Sequence, residues 1–244
     1  MSNSLITIGE AARQLNVSID TLRRWDRSHR LQSIRSGPRG HRYYKQSDID
    51  LYLQNVGSVA QQWASAPVGY APHPDLYCQT RDVFQARLEK LQSVLRDKVS
   101  FSAMSLLSAV AGEIGNNSFD HNLGNWPDIP GIFFSYDMRI RTVVLADRGQ
   151  GILATLKRVK PQLHTASEAL NVAFTETISG RSPEARGNGL KFVRSVIVEN
   201  PFTLSFQTGD AHLSLKQHDD DIFIQQEGIF IRGCFVTMGF EDVL

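Results

Sequence analysis

Three short polar fragments between residues 113 and 190 constrain this chain more than any other feature. They read Glu-Ile-Gly-Asn-Asn-Ser-Phe-Asp-His over residues 113–121, Asp-Arg-Gly-Gln-Gly over residues 147–151, and Arg-Gly-Asn-Gly-Leu over residues 186–190. Each fragment alone is a weak signal. In this order, and separated by apolar segments, they predict one ligand site that a folded domain assembles from three parts of the chain.

The first fragment places three polar side chains on one side of a predicted helix. Glu113 and Asn117 are four residues apart, so they project from the same face, and His121 follows one turn later. The carbonyl oxygen of Asn117 suits Mg²⁺ that is held mainly by phosphate and water. The carboxylate of Glu113 can orient or deprotonate a hydroxyl or water nucleophile. An ordinary helix with a solvent-facing polar side would show the same spacing.

The second fragment follows a predicted strand. Asp147 ends the apolar run 142–146, where a carboxylate can accept a hydrogen bond from an exocyclic amine. Gly149 and Gly151 would let the backbone approach a flat ring. A strand-to-helix turn that needs glycine only for its shape is the alternative.

The third fragment precedes a predicted helix. The backbone N–H groups of Gly187 and Gly189 could therefore cradle phosphates at a helix N-terminus. Arg186 and Lys191 add positive charge to the same place.

Taken together, the fragments resemble the nucleotide-binding boxes of the GHKL ATPase family, the group of gyrase, MutL and histidine-kinase ATP domains. The resemblance covers about residues 101–240. It implies ATP and Mg²⁺ as cofactors, with Glu113 as the catalytic general base, Asn117 as the Mg²⁺ ligand and Asp147 as the residue that selects adenine. The residues that it places around the cofactor are Asn117, His121, Asp147, Gly149, Gly151, Arg186, Gly187, Gly189, Leu190 and Lys191.

Three features differ from the family pattern. The family often continues its last box with Gly-Leu, whereas Lys191 and Phe192 follow here. A threonine often follows the glycine of the last strand, whereas Cys234 does so here. The stretch 179–186, where the family has its mobile ATP lid, is also short. These differences bear on the rate of hydrolysis more than on nucleotide binding.

A second informative feature is the positive charge near the N-terminus. Residues 20–45 contain eight basic and two acidic residues, although the whole chain has 26 and 25. The remainder of the chain is therefore net acidic. A local basic excess on a nearly neutral protein predicts a surface that binds a polyanion.

The pattern around this basic segment predicts a small helical unit over residues 5–55. Thr7 is expected to cap the first helix, Ser18 the second and Ser47 the third. Glycine and proline within residues 35–44 predict a tight hairpin before the third helix. A short helix, a tight turn and a second helix form the helix-turn-helix pattern.

Residues 6–53 resemble the MerR/excisionase class of winged helix-turn-helix domains. The resemblance is carried by Thr-Ile-Gly-Glu-Ala-Ala at 7–12, Ser-Ile-Asp-Thr-Leu-Arg-Arg-Trp at 18–25 and Gly-His-Arg-Tyr-Tyr at 40–44. It implies double-stranded DNA as the partner, with the second helix in the major groove and the hairpin as a wing.

Individual DNA contacts follow from that resemblance. Thr21 and Arg24 are the expected contacts to base edges. The expected contacts to phosphates are Arg23, Arg39, Arg42 and Tyr43. One such module makes few contacts, so a homodimer that supplies a second half-site is expected.

The predicted organisation is a DNA-binding domain at residues 1–56, a linker at 57–75 and an ATP-binding domain at 76–244. The linker is rich in small residues and proline and lacks periodicity. Within 76–99, a seam of one helix is formed by Phe84, Leu88, Leu91 and Leu95. This seam either forms the dimer contact or packs on its own domain.

The predicted fold class is α+β: a small winged helix-turn-helix domain followed by a two-layer α/β sandwich with a mixed sheet. No apolar run approaches the roughly 20 residues that span a bilayer. The first seven residues lack the pattern of a secretory signal. Cys78 and Cys234 lie far apart and make no metal-binding spacing. A reducing cytoplasm and no membrane partner are therefore expected.

The predicted function is an ATP-binding, ATP-responsive, DNA-binding transcription regulator. One alternative is a serine/threonine protein kinase like the anti-sigma-factor kinases, in which Glu113 activates a hydroxyl of a STAS-like or other regulatory protein. Another is a nucleotide-gated DNA clamp with an architectural role. Slow ATPase activity is compatible with each of them.

Overall fold

The chain forms two compact units, residues 1–58 and 59–244. The structure is a computed structural model, and it describes residues 4–15, 17–27, 31–35, 37, 40–53, 56–177 and 189–241. The described residues form helices and two antiparallel sheets, so the fold class is α+β.

The first unit combines helices with a small sheet. Its elements are β1 Leu5–Thr7, α1 Ile8–Gln14, α2 Ile19–Arg27, β2 Ile34–Arg35, β3 Arg42–Lys45 and α3 Gln46–Leu53. The three strands pair antiparallel in the order β1-β3-β2. Helix α1 is followed by a short turn and α2, as the sequence predicts.

Local capping explains where the first two helices begin. Thr7 and Glu10 form a reciprocal capping box at the start of α1. The Ser18 hydroxyl accepts from the Thr21 N–H at 3.0 Å at the start of α2. The prediction for the third helix is wrong by two residues, because α3 already begins at Gln46 and Ser47 therefore lies inside it.

A compact apolar core holds the first unit together. Its buried members are Ala11, Ala12, Leu15, Leu22, Leu31, Tyr44 and Ile49. The Tyr44 hydroxyl donates to the Leu22 carbonyl, which ties β3 to α2. Trp25 packs against this core and lies 4.9 Å from the Tyr52 ring, so it is a packing residue as expected.

The second unit is a helix-covered sheet. Its elements are α4 Val56–Ser65, β4 Tyr77–Cys78, α5 Arg81–Leu95, α6 Phe101–Asn122, β5 Ile132–Asp137, β6 Thr142–Asp147, α7 Gly151–Leu156, α8 Ala166–Thr175, α9 Gly189–Glu199, β7 Phe202–Lys216 and β8 Ile224–Phe240. Helix α4 begins within the first unit and carries the chain into the second. None of the helices in the described part of the chain is long and apolar enough to span a bilayer.

The strands of the second unit pair in the order β4-β5-β6-β8-β7. The expected mixed sheet is wrong for the described strands, because all of their pairings are antiparallel. The reason lies in the connections. Strands β5 and β6 are joined by a tight turn, and β7 and β8 follow each other along the chain, so neighbours run in opposite directions.

Helices α5, α6, α8 and α9 pack on one face of this sheet around a single core. The predicted seam of α5 is part of that core, because Phe84, Leu88, Leu91 and Leu95 are all buried. The Phe84 ring meets the Phe134 ring edge to face at 5.2 Å. The seam therefore packs on its own domain, and the alternative of a dimer contact through these side chains is wrong.

The predicted linker at 57–75 contains α4, which is packed rather than extended. Trp63 is fully buried, and its ring lies 6.2 Å from that of Phe133. Its indole N–H donates to the Tyr70 carbonyl at 2.7 Å. Small residues and prolines suggested a linker by composition, but one large aromatic residue is sufficient to anchor the segment.

Strand β7 bends sharply near Gly209. The Ser205 hydroxyl lies 2.8 Å from Nε2 of His212, although seven extended residues would span about 23 Å. The pairing with β8 shifts register on both sides of Gly209. This bend brings the two halves of β7 close to each other.

Candidate functional site

A cavity in the second unit brings the first two sequence fragments together with the start of α9. It lies between α6, the turn after β6 and the first residues of α9, with one wall from β8. The lining residues that the sequence predicted are Glu113, Asn117, His121, Asp147, Gly151, Gly189 and Leu190.

Asp147 forms the most enclosed part of this cavity. Only 2% of the residue is exposed. One carboxylate oxygen accepts from the Ser118 hydroxyl at 2.7 Å, and the other accepts from the Gly149 N–H at 2.8 Å. Burial raises the pKa of the Asp147 carboxyl, while these donors and the Cys234 backbone N–H oppose the rise. Asp147 is therefore a buried hydrogen-bond acceptor whose orientation is fixed by its donors.

The neighbouring strand must come very close to this carboxyl. A Cβ on Gly233 would lie 2.1 Å from Oδ1 of Asp147 and 2.6 Å from its carbonyl oxygen. Only glycine fits there. Cys234, the next residue, contributes to the cavity wall. Burial and the nearby Asp147 raise the pKa of the Cys234 thiol well above its usual range, so the thiol stays protonated.

Helix α6 contributes the polar face that the sequence predicted. The Asn117 amide donates to Oε1 of Glu113 at 3.1 Å. His121 follows one turn later on α6. Burial is the main cause of its lowered pKa; Arg158 lowers the pKa further, whereas Glu113 raises it. His121 is therefore neutral near pH 7 and can either donate or accept.

Helix α9 starts directly against this polar face. A Cβ on Gly189 would lie 1.8 Å from Oε1 of Glu113 and 3.2 Å from the Asn117 amide nitrogen. The positive end of a helix dipole favours negative charge at this place. The Glu113 carboxylate thus lies where an anionic group could reach the first turn of α9.

Of the other predicted cofactor residues, Gly149 and Lys191 are not part of the cavity lining. Gly149 holds Asp147 but does not line the cavity. Lys191 also lies outside the lining, and its ammonium group donates to the Thr177 hydroxyl at 2.9 Å. Arg186 and Gly187, together with the expected lid at 179–186, lie outside the described residues.

Some contributors were not predicted from sequence. Ser118 directs Asp147, and the Asn122 side chain accepts from the Gln150 N–H at 2.8 Å, which fixes the turn after β6. Ser118 lies within the first fragment and Asn122 directly follows it, and the two are four residues apart on α6. Their position on the side of α6 that faces β6 was the missing signal.

Arg148 lies beside the cavity and points away from it. Its side chain is fully buried. The guanidinium donates to Oδ2 of Asp128 and to the Trp63 carbonyl, each at 2.6 Å. A charged group can be buried in this way only because both an anion and carbonyl acceptors surround it.

In the first unit, α2 presents the residues expected at base edges. Thr21 and Arg24 are one turn apart, opposite the buried Leu22. The Arg24 guanidinium lies 3.4 Å from the Thr21 hydroxyl. Arg23 is exposed and forms an ion pair with Asp20 at 2.8 Å. Tyr43 is half-buried on β3, and Arg39 lies outside the described residues.

Arg42, an expected phosphate contact, forms an ion pair within the first unit. Its Nε donates to Oδ2 of Asp26 at 2.8 Å, and Arg35 donates to the same oxygen at 2.6 Å. The Ser33 N–H donates to the other oxygen at 2.9 Å. Burial favours the neutral acid, but these three donors prevail and lower the pKa of Asp26. The cluster ties the hairpin to α2.

Replacing Asp26 by Asn should destabilise the first unit by on the order of 2 kcal/mol, because hydrogen bonds from charged groups are lost. A lowered folded-state pKa means that this stabilisation is present above pH 3.8 and is lost as the pH falls below it. Thermal unfolding of the full chain between pH 3 and 7 would measure both effects. Asp20→Asn, at an exposed ion pair, is the control and should change little. Equal stability of Asp26→Asn and wild type at pH 7 would contradict the role of the cluster.

Comparison with known protein families assigns the N-terminal part of the chain. Residues 7–44 match the family model described as MerR family regulatory protein. No curated protein matches the chain. The matched range covers α1, α2 and most of the hairpin, and it includes every residue expected to contact DNA. The chain therefore carries a MerR-family domain, which indicates a DNA-binding regulator.

Proposed function

We propose that this protein is a transcription regulator that binds double-stranded DNA through residues 1–58 and ATP through the cavity of the second unit, and that ATP changes its affinity for DNA. One observation carries the proposal. A MerR-family domain and a cavity lined by Glu113, Asn117 and Asp147 occur in the same chain. Those three residues belong to the fragments through which the sequence resembles the GHKL ATPases.

The chemistry of Asp147 supports adenine as the bound base. Its carboxylate is buried and directed by Ser118 and Gly149, so it accepts hydrogen bonds along a fixed line. The exocyclic amine of adenine is a donor, whereas guanine presents a carbonyl at the corresponding position. Ile114, Leu190 and Phe206 supply apolar walls for a flat ring. Such a mostly apolar pocket with a few directed polar groups is typical of cofactor sites.

The polar end of the cavity supports phosphate and metal binding. Asn117 would contribute a neutral oxygen to Mg²⁺, and the first turn of α9 at Gly189 would face the phosphates. When bound, Mg²⁺ neutralises charge on the phosphate oxygens. Among the described residues, no group of three or more His, Cys, Asp and Glu side chains could hold a metal ion by itself.

The DNA side of the proposal rests on α2. Its exposed Arg23 and Arg24 lie on the side away from the buried Leu22, as a helix that enters the major groove requires. A homodimer would provide two such helices for two half-sites. Binding should weaken steeply with salt, because the arginines displace counterions from DNA.

A second candidate function is a protein kinase that acts on a regulatory partner. Glu113 favours it, because this carboxylate lies beside Asn117 and the start of α9, where phosphates would bind. In that position it could accept the proton of a serine or threonine hydroxyl that enters the cavity mouth.

The experiment that tests the regulator measures DNA affinity at fixed salt without nucleotide, with ADP and with a non-hydrolysable ATP analogue. The DNA is a duplex selected by the full chain from a randomised pool. An affinity ratio of roughly 5–150 between nucleotide states is expected, and DNA must change nucleotide affinity by the same factor. Three equal affinities would reject the regulator and favour the kinase.

Arg24→Ala should cost roughly 1–3 kcal/mol on the selected duplex and should relax sequence preference at one position, if Arg24 reads a base. Competition with duplexes carrying single-base changes would measure this. Arg27→Ala is the control on the same helix, since the Arg27 Nε donates to the Arg23 carbonyl. Uniform weakening of all sequences by Arg24→Ala would assign Arg24 to phosphate instead.

A further inference from the structure

We propose that Arg148 transmits the state of the cavity to helix α4, and through this helix to the DNA-binding unit. The inference rests on the proposed function, because it names the residue through which nucleotide would change DNA affinity. It is carried by the contacts of one buried side chain and by the path of the chain.

Arg148 caps the end of α4. The last carbonyl groups of any helix lack partners within the helix, and positive charge is favoured beside them. One guanidinium nitrogen donates to the Trp63 carbonyl at 2.6 Å and lies 3.5 Å from the Ala64 carbonyl. Helix α4 ends at Ser65, so Arg148 meets its last turn. The end of α4 is therefore held by a residue of the turn after β6.

The same turn forms part of the cavity. Asp147 and Arg148 are adjacent, and their side chains are held in different places, one in the cavity and the other against α4. The Gly149 N–H donates back to Asp147, so the backbone of this turn is tightly constrained. A ligand that hydrogen-bonds to the Asp147 carboxylate would compete with the Gly149 N–H for it, and a resulting shift of this backbone would displace Arg148.

Asp128 links Arg148 to a second backbone segment that contacts Asp147. It accepts from Nε and Nη2 of Arg148 at 3.0 and 2.6 Å, and it lies 3.7 Å from Nε of Arg232. Arg232 directly precedes Gly233, which packs against Asp147. Each of the two backbone segments that touch Asp147 therefore carries an arginine whose guanidinium lies close to the Asp128 carboxylate.

Helix α4 spans the boundary between the two units of the chain. It begins at Val56, whereas the first unit extends to Ser58. A helix transmits a displacement of one end to the other, because its backbone is hydrogen-bonded throughout. A change at Trp63 would therefore alter how the chain leaves the first unit.

The test compares the coupling factor, defined as DNA affinity with a non-hydrolysable ATP analogue divided by affinity without it. Arg148→Lys keeps the charge but loses the planar fork that reaches both Asp128 and the helix end. We expect it to bind nucleotide and DNA separately within about threefold of wild type, and its coupling factor to fall from roughly 5–150 to near 1. Arg139→Lys is the matched control, at an ion pair with Asp137 outside the cavity, and should keep the wild-type factor.

Hydrogen exchange of α4 in the wild-type protein gives a second readout. Nucleotide should change exchange of the α4 amides, and Trp63→Phe, which loses the bond to the Tyr70 carbonyl, should reduce the coupling factor if Arg148→Lys does not fold. A wild-type coupling factor in Arg148→Lys, or hydrogen exchange of α4 that does not change when nucleotide binds, would overturn the inference. Either result would leave the proposed regulator function unaffected. A wild-type protein that binds nucleotide without any change in DNA affinity would overturn both.

Discussion

Asp147→Asn is expected to weaken ATP binding by roughly 10- to 150-fold, which corresponds to the 1.5–3 kcal/mol of a hydrogen bond to a charged group. The carboxylate already accepts from the Ser118 hydroxyl and the Gly149 N–H. An amide at this position must turn its N–H₂ group either toward these donors or toward the adenine amine. In either orientation, two hydrogen-bond donors face each other. The variant should therefore also lose the preference for ATP over GTP.

Calorimetric titration with ATP and GTP, each with Mg²⁺, measures both parts of this prediction. Ser118→Ala is the matched control. It removes one donor from Asp147 but leaves the carboxylate, so it should keep the preference for adenine with a smaller loss of affinity. Equal affinity of the wild-type protein for ATP and GTP would show that Asp147 does not select the base.

The cavity could be predicted from sequence because each of its parts is local. Helical spacing alone places Glu113 and Asn117 on one side of α6. A carboxylate at the end of an apolar run predicts the position of Asp147, and glycine before a helix predicts Gly189. The cavity lining contains residues of the first two fragments together with Gly189 and Leu190 of the third.

The features that the sequence did not predict depend on contacts between distant segments. Trp63 anchors α4 because its ring lies against that of Phe133 and its carbonyl accepts from Arg148. Neither partner is close to Trp63 in sequence. The ion pair of Arg42 with Asp26 was not predicted, because Asp26 lies on another element. Periodicity and composition describe one segment at a time, so neither reveals such partners.

Sheet direction is a further example of the same limit. The apolar runs of β5, β6 and β8 predict strands, but a run of hydrophobic residues does not state the direction of its neighbour. Strand β8 lies between β6 and β7, although β7 precedes it in the chain. Strands β6 and β8 are therefore antiparallel neighbours. Their pairing depends on how the whole core packs, which no single apolar run states.

Glu113→Gln is expected to lower ATP turnover or phosphoryl transfer by about 10²–10⁴-fold, the usual contribution of a general base. ATP affinity should stay close to that of wild type. The amide cannot take a proton from the nucleophile, but its oxygen can still accept from Asn117, which now donates to Oε1 of Glu113 at 3.1 Å. The arrangement of α6 against the start of α9 should therefore be preserved, and the loss should fall on the chemical step alone.

Asn117→Ala provides the contrast that separates chemistry from binding. It removes the neutral oxygen proposed for Mg²⁺, so it should weaken Mg²⁺-dependent ATP binding as well as turnover. Turnover is measured as phosphate release, with and without DNA and a candidate partner protein, and binding by calorimetry. Loss of ATP binding in Glu113→Gln would make Glu113 a binding residue. If wild-type protein shows no turnover under any of these conditions, Glu113 has no catalytic role, and the kinase is rejected. The cavity would then act through occupancy alone, because a regulator needs nucleotide to change a DNA-binding surface and does not need the phosphoryl bond to break.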